Sequence, residues 1–319
     1  NNLTFTNDNV NKNIYVYGKN SSVGIDAGSL VKVDGINIPT AAGTEGNKTV
    51  GIYLENAGTG STFNGTGNLE VLNGAVGIYS KGNNTLDVNV AVAGDKTTGI
   101  FIDGASTISG TVTAKGTSSA GAVGVYGSGG IVTVGAGGLV LNTDAGRGTG
   151  MYLTDGASTT GGSITVNNTA AGTKNIGVYY SKGATSGTVT NSSAISLIGS
   201  ESIGIYAADG ITLVNNANIT STAGKTEDIG SYVGGGSQLT STGTITMNDN
   251  DSIGIYTEEG KGINSGNILM NGSPSAPTKS VVGMVAEAKA GKTAAVENAA
   301  GGTITAGANL GMYIGGTGT

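Results

Sequence analysis

Residues 202–210 read SIGIYAADG, and residues 252–260 read SIGIYTEEG. The shared unit is a small or apolar residue, then Gly, then an apolar residue, then an aromatic. Its glycines fall at Gly24, Gly51, Gly77, Gly99, Gly124, Gly150, Gly177, Gly204, Gly230, Gly254, Gly283 and Gly311. Successive glycines are 22 to 29 residues apart. A repeat of this length belongs to solenoids, propellers and arrays.

One repeat shows what each copy contains. SIGIY (252–256) reads as a first strand, EEGKGIN (258–264) as a turn and a short second segment, and SGNILMNG (265–272) as a third strand. SPSAPTKS (273–280) is a loop before VVGMV restarts the cycle. Third-strand candidates in other copies are NLEVLN (68–73), GTVTAKG (110–116), GLVLNT (138–143), SITVNN (163–168), AISLIG (194–199), NITST (218–222), TITMND (244–249) and TITAG (303–307). All alternate apolar and polar residues, the period of a half-buried strand. No helical period is sustained. GMVAEAKAGKTAAVENAAGG (283–302) comes nearest, and Gly291 interrupts it.

These features predict an all-β fold, a right-handed parallel β-helix of about 12 coils of about 26 residues, continuous over 1–319. At a strand spacing of about 4.8 Å the coils would build a rod on the order of 58 Å tall. A β-propeller needs longer repeats. A left-handed β-helix needs a six-residue sub-period that is not found. The chain begins and ends inside its repeat, so a slice from the interior of a longer protein is expected.

The pleat then assigns faces. The residues flanking each Gly share one face, which reads as the core, and the Gly and the aromatic read as outward. The aromatic column is Tyr53, Tyr79, Phe101, Tyr126, Tyr152, Tyr179, Tyr206, Tyr232, Tyr256 and Tyr313, with Asp26 and Val285 as exceptions. A ring beside each Gly can cover bare backbone.

Composition bounds the chemistry. The 319 residues include 60 Gly, 3 Pro, no Cys and no His, with a net charge of −6. Without Cys there are no disulfides and no thiol catalysis. Without His the commonest general base and zinc ligand are missing. Arg147 is the only arginine, and no basic face for nucleic acid is expected. No run of 18 apolar residues suggests membrane insertion.

The candidate binding residues fall in two groups. The tyrosine column, taken over Tyr152, Tyr179, Tyr206, Tyr232 and Tyr256, offers rings and hydroxyls suited to sugars and protein partners; it reads better as packing over a Gly-rich sheet. The loops before each GIY strand are the better place for specificity: 37–49, 167–175, 223–229 and 272–280 are longer or more polar. They contribute Lys174, Glu227, Asp228, Pro274, Pro277 and Lys279. Length drift at a solenoid corner is the alternative. Thr-x-Thr pairs such as Thr244/Thr246 lack the regularity of an ice-binding array. The acids Glu227, Asp228, Asp249, Asp251, Glu258 and Glu259 could hold Ca²⁺ in a polysaccharide-cleaving β-helix. With Lys261 as the only near cation, they read better as a solvated acidic edge. No catalytic residue, metal site or cofactor is assigned.

The copies VGIYLENAG (50–58), VGIYSKGNN (76–84), TGMYLTDGAS (149–158), IGIYAADG (203–210) and IGIYTEEG (253–260) resemble the passenger region of large fusobacterial autotransporter adhesins of the single-chain type V class. The resemblance covers nearly the whole chain. It implies Sec export, a right-handed β-helix at the cell surface and an outer-membrane barrel beyond this chain's C-terminus. It also implies attachment to a host cell-surface protein or glycan, or to another bacterium, by a monomeric rod. No binding residue follows from it. The alternatives are a stalk that projects a distal domain and a polysaccharide-processing enzyme.

Overall fold

The computed structural model describes residues 2–6, 14–35, 49–56, 61–116, 121–143, 148–168, 174–184, 187–307 and 309–316. Among them every regular element is a strand, and every named strand pairing is parallel between successive laps. Both strands of the 283–302 region, Val282–Ala288 and Ala294–Asn298, belong to the solenoid wall.

Each lap crosses three walls. The first wall is a 12-stranded sheet running from Ile14–Lys19 to Leu310–Gly316. The second and third walls join into one 19-stranded sheet. Long strands turn the corner between them: Asn84–Ala93 pairs with Ser106–Ile108 and then with Val112–Gly116. All the third-strand segments expected from sequence lie in this sheet, among them Asn267–Met270 and Thr244–Met247. Closed turns are somewhat fewer than twelve, because no further strand follows Leu310–Gly316 among the described residues.

The first rung corrects the sequence reading. VGID, at Gly24, is not in the first wall: Ser22–Val23 pairs with Thr62 and Phe63 in the second. The rung is Ile14–Lys19, whose Tyr17 registers with Tyr53. Tyr15 occupies the position that Gly holds elsewhere, which hid this copy from a search for Gly.

The pleat also departs from simple alternation. The residue after the Gly is core on all laps but the last, where Met312 is exposed: Ile52, Ile78, Ile100, Val125, Met151, Val178, Ile205, Ile255 and Met284 are 0–2% exposed. The Gly faces inward as well. A Cβ on Gly77 would meet Val71 Cγ2 at 2.5 Å and the carbonyl oxygen of Gly99 at 2.7 Å. Gly51, Gly99 and Gly254 are hemmed in the same way. Two consecutive positions therefore face the core, and the residue before the Gly varies: Val76, Ile203 and Val282 are buried, whereas Val50, Val123 and Ile253 are only half-buried. Gly is required at this position by close packing rather than by turn geometry.

Turn geometry governs the end of the motif. In AADG, Asp209 and Gly210 have φ of 60° and 73°. That left-handed region is open to Gly and tolerated by Asp, so the chain turns there into the second wall.

Inside the tube, aliphatic side chains from all walls form one continuous core. One inward column of the first wall shows how laps adjust to each other. Leu153 lies beside Gly127, and the fully buried Tyr180 lies beside Ala207. Leu153 and Tyr180 also adjoin each other, so small residues on the outer laps, Gly127 and Ala207, make room for this large pair.

Candidate binding surfaces

Strand register places the aromatic residues over one another, and the rings stack. Ten successive rings from Tyr17 to Tyr256 have centroid separations of 4.5 to 5.5 Å. Tyr152 lies 4.9 Å from Tyr179 at an interplanar angle of 9°. Tyr179 lies 5.0 Å from Tyr206, and Tyr206 lies 4.5 Å from Tyr232. Within the run both faces of each ring are covered by neighbouring rings. The surface seen by solvent is ring edges and hydroxyls, so a sugar cannot stack there on a ring face.

Several hydroxyls are tied down by acids two positions beyond the column on the next lap. Tyr17 Oη donates to Glu55 at 2.7 Å, Tyr79 to Asp103 at 3.4 Å, Tyr232 to Glu258 at 2.5 Å and Tyr256 to Glu287 at 3.2 Å. Burial against neighbouring rings, reinforced by nearby carboxylates, pushes the hydroxyls of Tyr79, Tyr179 and Tyr256 up to about 12. Tyr126, Tyr206 and Tyr232 are raised for the same first reason. These six hydroxyls therefore stay protonated and uncharged at neutral pH.

The acids do not form one solvated edge. Asp228 and Asp249 are fully buried. Asp228 Oδ1 accepts from the Ser202 backbone N–H at 2.8 Å, while its Oδ2 has no hydrogen-bond partner. Asp249 accepts from the Asp228 backbone N–H at 3.0 Å and from Ser221 Oγ. Burial first, and the charge of Asp249 second, push the Asp228 carboxyl up to about 8. Asp228 thus supports the wall from within and offers nothing to a surface ligand, contrary to its placement among the loop contacts. Its inward position follows from the double inward step at Gly230, which a plain period of two does not reveal.

The other acids face cations that sequence spacing did not bring near them. Lys289 pairs with Glu258 at 2.7 Å and Lys292 with Glu259 at 3.0 Å. Lys261 pairs with Glu297 at 2.5 Å. Burial pushes Glu258 up, but Lys289 and Tyr232 outweigh it, and the carboxyl ends below its usual range. Lys174 is exposed, and its charge also acts on Glu258. Among the described residues, no group of three or more acidic side chains is placed to hold a metal ion.

Two predicted loop residues do meet. Glu227 and Lys279, 52 positions apart in sequence, form an ion pair at 2.5 Å between exposed loops. Ser275, between the exposed Pro274 and Pro277, is held by its N–H to Asp251 Oδ1 at 2.8 Å and by its hydroxyl to Asp251 Oδ2. The 272–280 segment is therefore fastened to the rod at two points. The 223–229 loop lies beside it through Glu227. Pro39, most of 37–49 and residues 169–173 of the 167–175 loop lie outside the described residues.

An interior asparagine ladder was not anticipated. Asn191 Nδ2 donates to Asn215 Oδ1 at 2.7 Å, Asn215 Nδ2 to Ser241 Oγ at 3.3 Å, and Asn264 Nδ2 to Asn298 Oδ1 at 2.7 Å. The signal was an Asn or Ser closing several later second-wall strands, as in TLVN, SQLTS and GKGIN.

No protein-family model matches the chain, and no curated protein or solved structure matches it either.

Proposed function

We propose that this chain is a non-catalytic binding segment of a bacterial surface adhesin of the autotransporter kind, recognising a host-cell or bacterial surface receptor through loops displayed on the rod. The observation that carries the reading is the 272–280 loop. It is exposed, it holds two prolines, and it is pinned by Ser275 to Asp251 and by Lys279 to Glu227. A loop fixed before binding loses less freedom on contact with a partner, and recognition commonly lies on loops held by a rigid scaffold.

The acids weighed for catalysis support the same reading. Asp228 and Asp249 lie inside the wall, and Glu258 and Glu259 are paired with lysines of this chain. A stalk that projects a distal domain is favoured by the unbroken register of the first wall across twelve strands. The two readings separate on one measurement: binding of the purified chain to host cells, before and after the 272–280 loop is replaced by a short Gly-Ser turn. The adhesin requires saturable binding that the replacement removes. A stalk shows no saturable binding in either form.

A further inference from the structure

All but one of the ten stacked rings are tyrosines, and a tyrosine column can do what a phenylalanine column cannot. A phenol gives up one electron more readily than most side chains. Its O–H becomes strongly acidic as it does so, and the reaction needs an acceptor for the proton. From Tyr126 to Tyr256 six tyrosines follow one another on successive laps, with ring centroids 4.5 to 5.2 Å apart. Rings stacked this closely exchange an electron readily. The proton acceptors are present as well. Tyr232 Oη donates to Glu258 at 2.5 Å and Tyr256 Oη to Glu287 at 3.2 Å. Lys289, 2.7 Å from Glu258, helps to keep that carboxylate ionised.

The column also contains its own limits. Phe101 stacks on Tyr79 at 4.8 Å and on Tyr126 at 4.6 Å, so packing passes through it without a break. It has no hydroxyl, and a benzene ring resists oxidants that act on phenols. At the other end the register partner of Tyr256 is Val285, which brings no ring. Packing and redox chemistry make different demands on this column, and Phe101 meets only the first.

We propose that Tyr126, Tyr152, Tyr179, Tyr206, Tyr232 and Tyr256 form one redox unit, which takes up a one-electron oxidising equivalent and passes it from ring to ring. The oxidant is of the class that a haem peroxidase forms from hydrogen peroxide. It removes one electron from a ring, and the phenolic O–H bond breaks. The proton passes to water or, at Tyr232 and Tyr256, to Glu258 or Glu287, and a neutral tyrosyl radical remains. Two such events supply the two electrons and two protons that turn one hydrogen peroxide into two waters. A thiol or ascorbate outside the rod returns an electron and a proton to each radical. The radical settles at Tyr232 or Tyr256, because these two donate to a carboxylate. The unit thereby holds oxidising equivalents on the outer face, away from the buried Met151 and Met284, whose sulfoxides would disrupt the core. This goes beyond the adhesin reading and does not depend on it.

The test is flash photolysis of the whole chain. The chain has no Cys, so Ala290→Cys takes a single ruthenium photo-oxidant, in the shallow depression that Ala290 shares with Tyr256. Tyr126→3-aminotyrosine supplies a trap that is oxidised more easily than tyrosine. The trap lies five laps from Tyr256, roughly 24 Å at a strand spacing of about 4.8 Å. A flash should produce the aminotyrosyl radical, read by transient absorption and EPR. Tyr179→Phe keeps the ring and removes the hydroxyl. It should slow arrival tenfold or more while the thermal transition stays level, which a packing role alone does not predict. With the trap moved to Tyr79, Phe101→Tyr should speed arrival tenfold or more. The proposal is overturned if no trap radical forms, if Tyr179→Phe is as fast as the parent, or if Phe101→Tyr brings no gain. It is overturned too if the radical forms as well between separate chains, one carrying the oxidant and the other the trap.

Discussion

The backbone N–H of Asp228 donates to the carboxylate of Asp249 at 3.0 Å, so two acids from successive laps meet inside the wall. Asp228 has a carboxyl pushed up to about 8, chiefly by burial, and an unfolded aspartate titrates near ~3.9. Between these values the folded chain keeps a proton that the unfolded chain has lost. The stability tied to Asp228 is therefore complete below about pH 4, falls as pH rises, and is gone above about pH 8. Denaturant titrations from pH 5 to 9 should show stability falling with pH. Asp228→Asn should flatten that slope. An Asn is already used this way at the same position two laps earlier, where Asn175 Oδ1 accepts from the Gly148 N–H at 2.8 Å. A slope unchanged by Asp228→Asn would remove Asp228 as its source.

The inward Gly column is tested by adding one methyl group. In Gly77→Ala the new Cβ must displace Val71 Cγ2 and the Gly99 carbonyl. Overpacking of this kind costs about 1–3 kcal/mol, and more where backbone must move. Gly187→Ala is the control, with nothing within 4 Å of its Cβ; we expect a change within ~0.5 kcal/mol. Equal effects at the two sites would mean that the column tolerates a side chain.

Tyr152 is stacked on both sides, at 5.0 Å on Tyr126 and 4.9 Å on Tyr179. Each aromatic pair contributes about 0.5–1.5 kcal/mol beyond its buried area, so Tyr152→Ala should cost ~1–3 kcal/mol. Because each lap touches only its neighbours, hydrogen exchange should rise mainly in the strands around Tyr126, Tyr152 and Tyr179. Exchange rising evenly along the whole rod would contradict local stacking.

Asn215 is fully buried and bonded to Asn191 on one side and Ser241 on the other. Asn215→Ala removes one of the two acceptors of the buried Asn191 amide and leaves it the Ser193 carbonyl alone. Such a loss costs about 1–3 kcal/mol, and urea titration would measure it. A neutral substitution would show that the ladder fills space without holding laps together.

Much of this architecture could be read from SIGIYAADG and its copies. The repeat gave the lap length, and period-two alternation found strands such as Asn267–Met270 and Thr244–Met247. The aromatic column was legible because register in a parallel solenoid carries each lap directly onto the next. What escaped depended on departures from ideal alternation. Two inward positions in a row reversed the facing of Gly77 and concealed the burial of Asp228. Tyr15 in place of Gly hid the first rung. Contacts such as Lys289 with Glu258 join residues about one lap apart, and their meeting depends on where a corner falls. A sequence gives lap length more readily than corner position. Val285 stood out in sequence only as a missing tyrosine, and register places it over Tyr256, where the run of stacked rings stops.

The most direct test of the central claim is equilibrium binding of the purified chain to host cells by flow cytometry, with an unrelated β-helix as control and unlabelled chain as competitor. The adhesin account expects saturable, competable binding that is lost when the 272–280 loop is shortened. Binding no greater than the control, or binding indifferent to that loop, would contradict it and leave this rod as a stalk or place its contacts elsewhere.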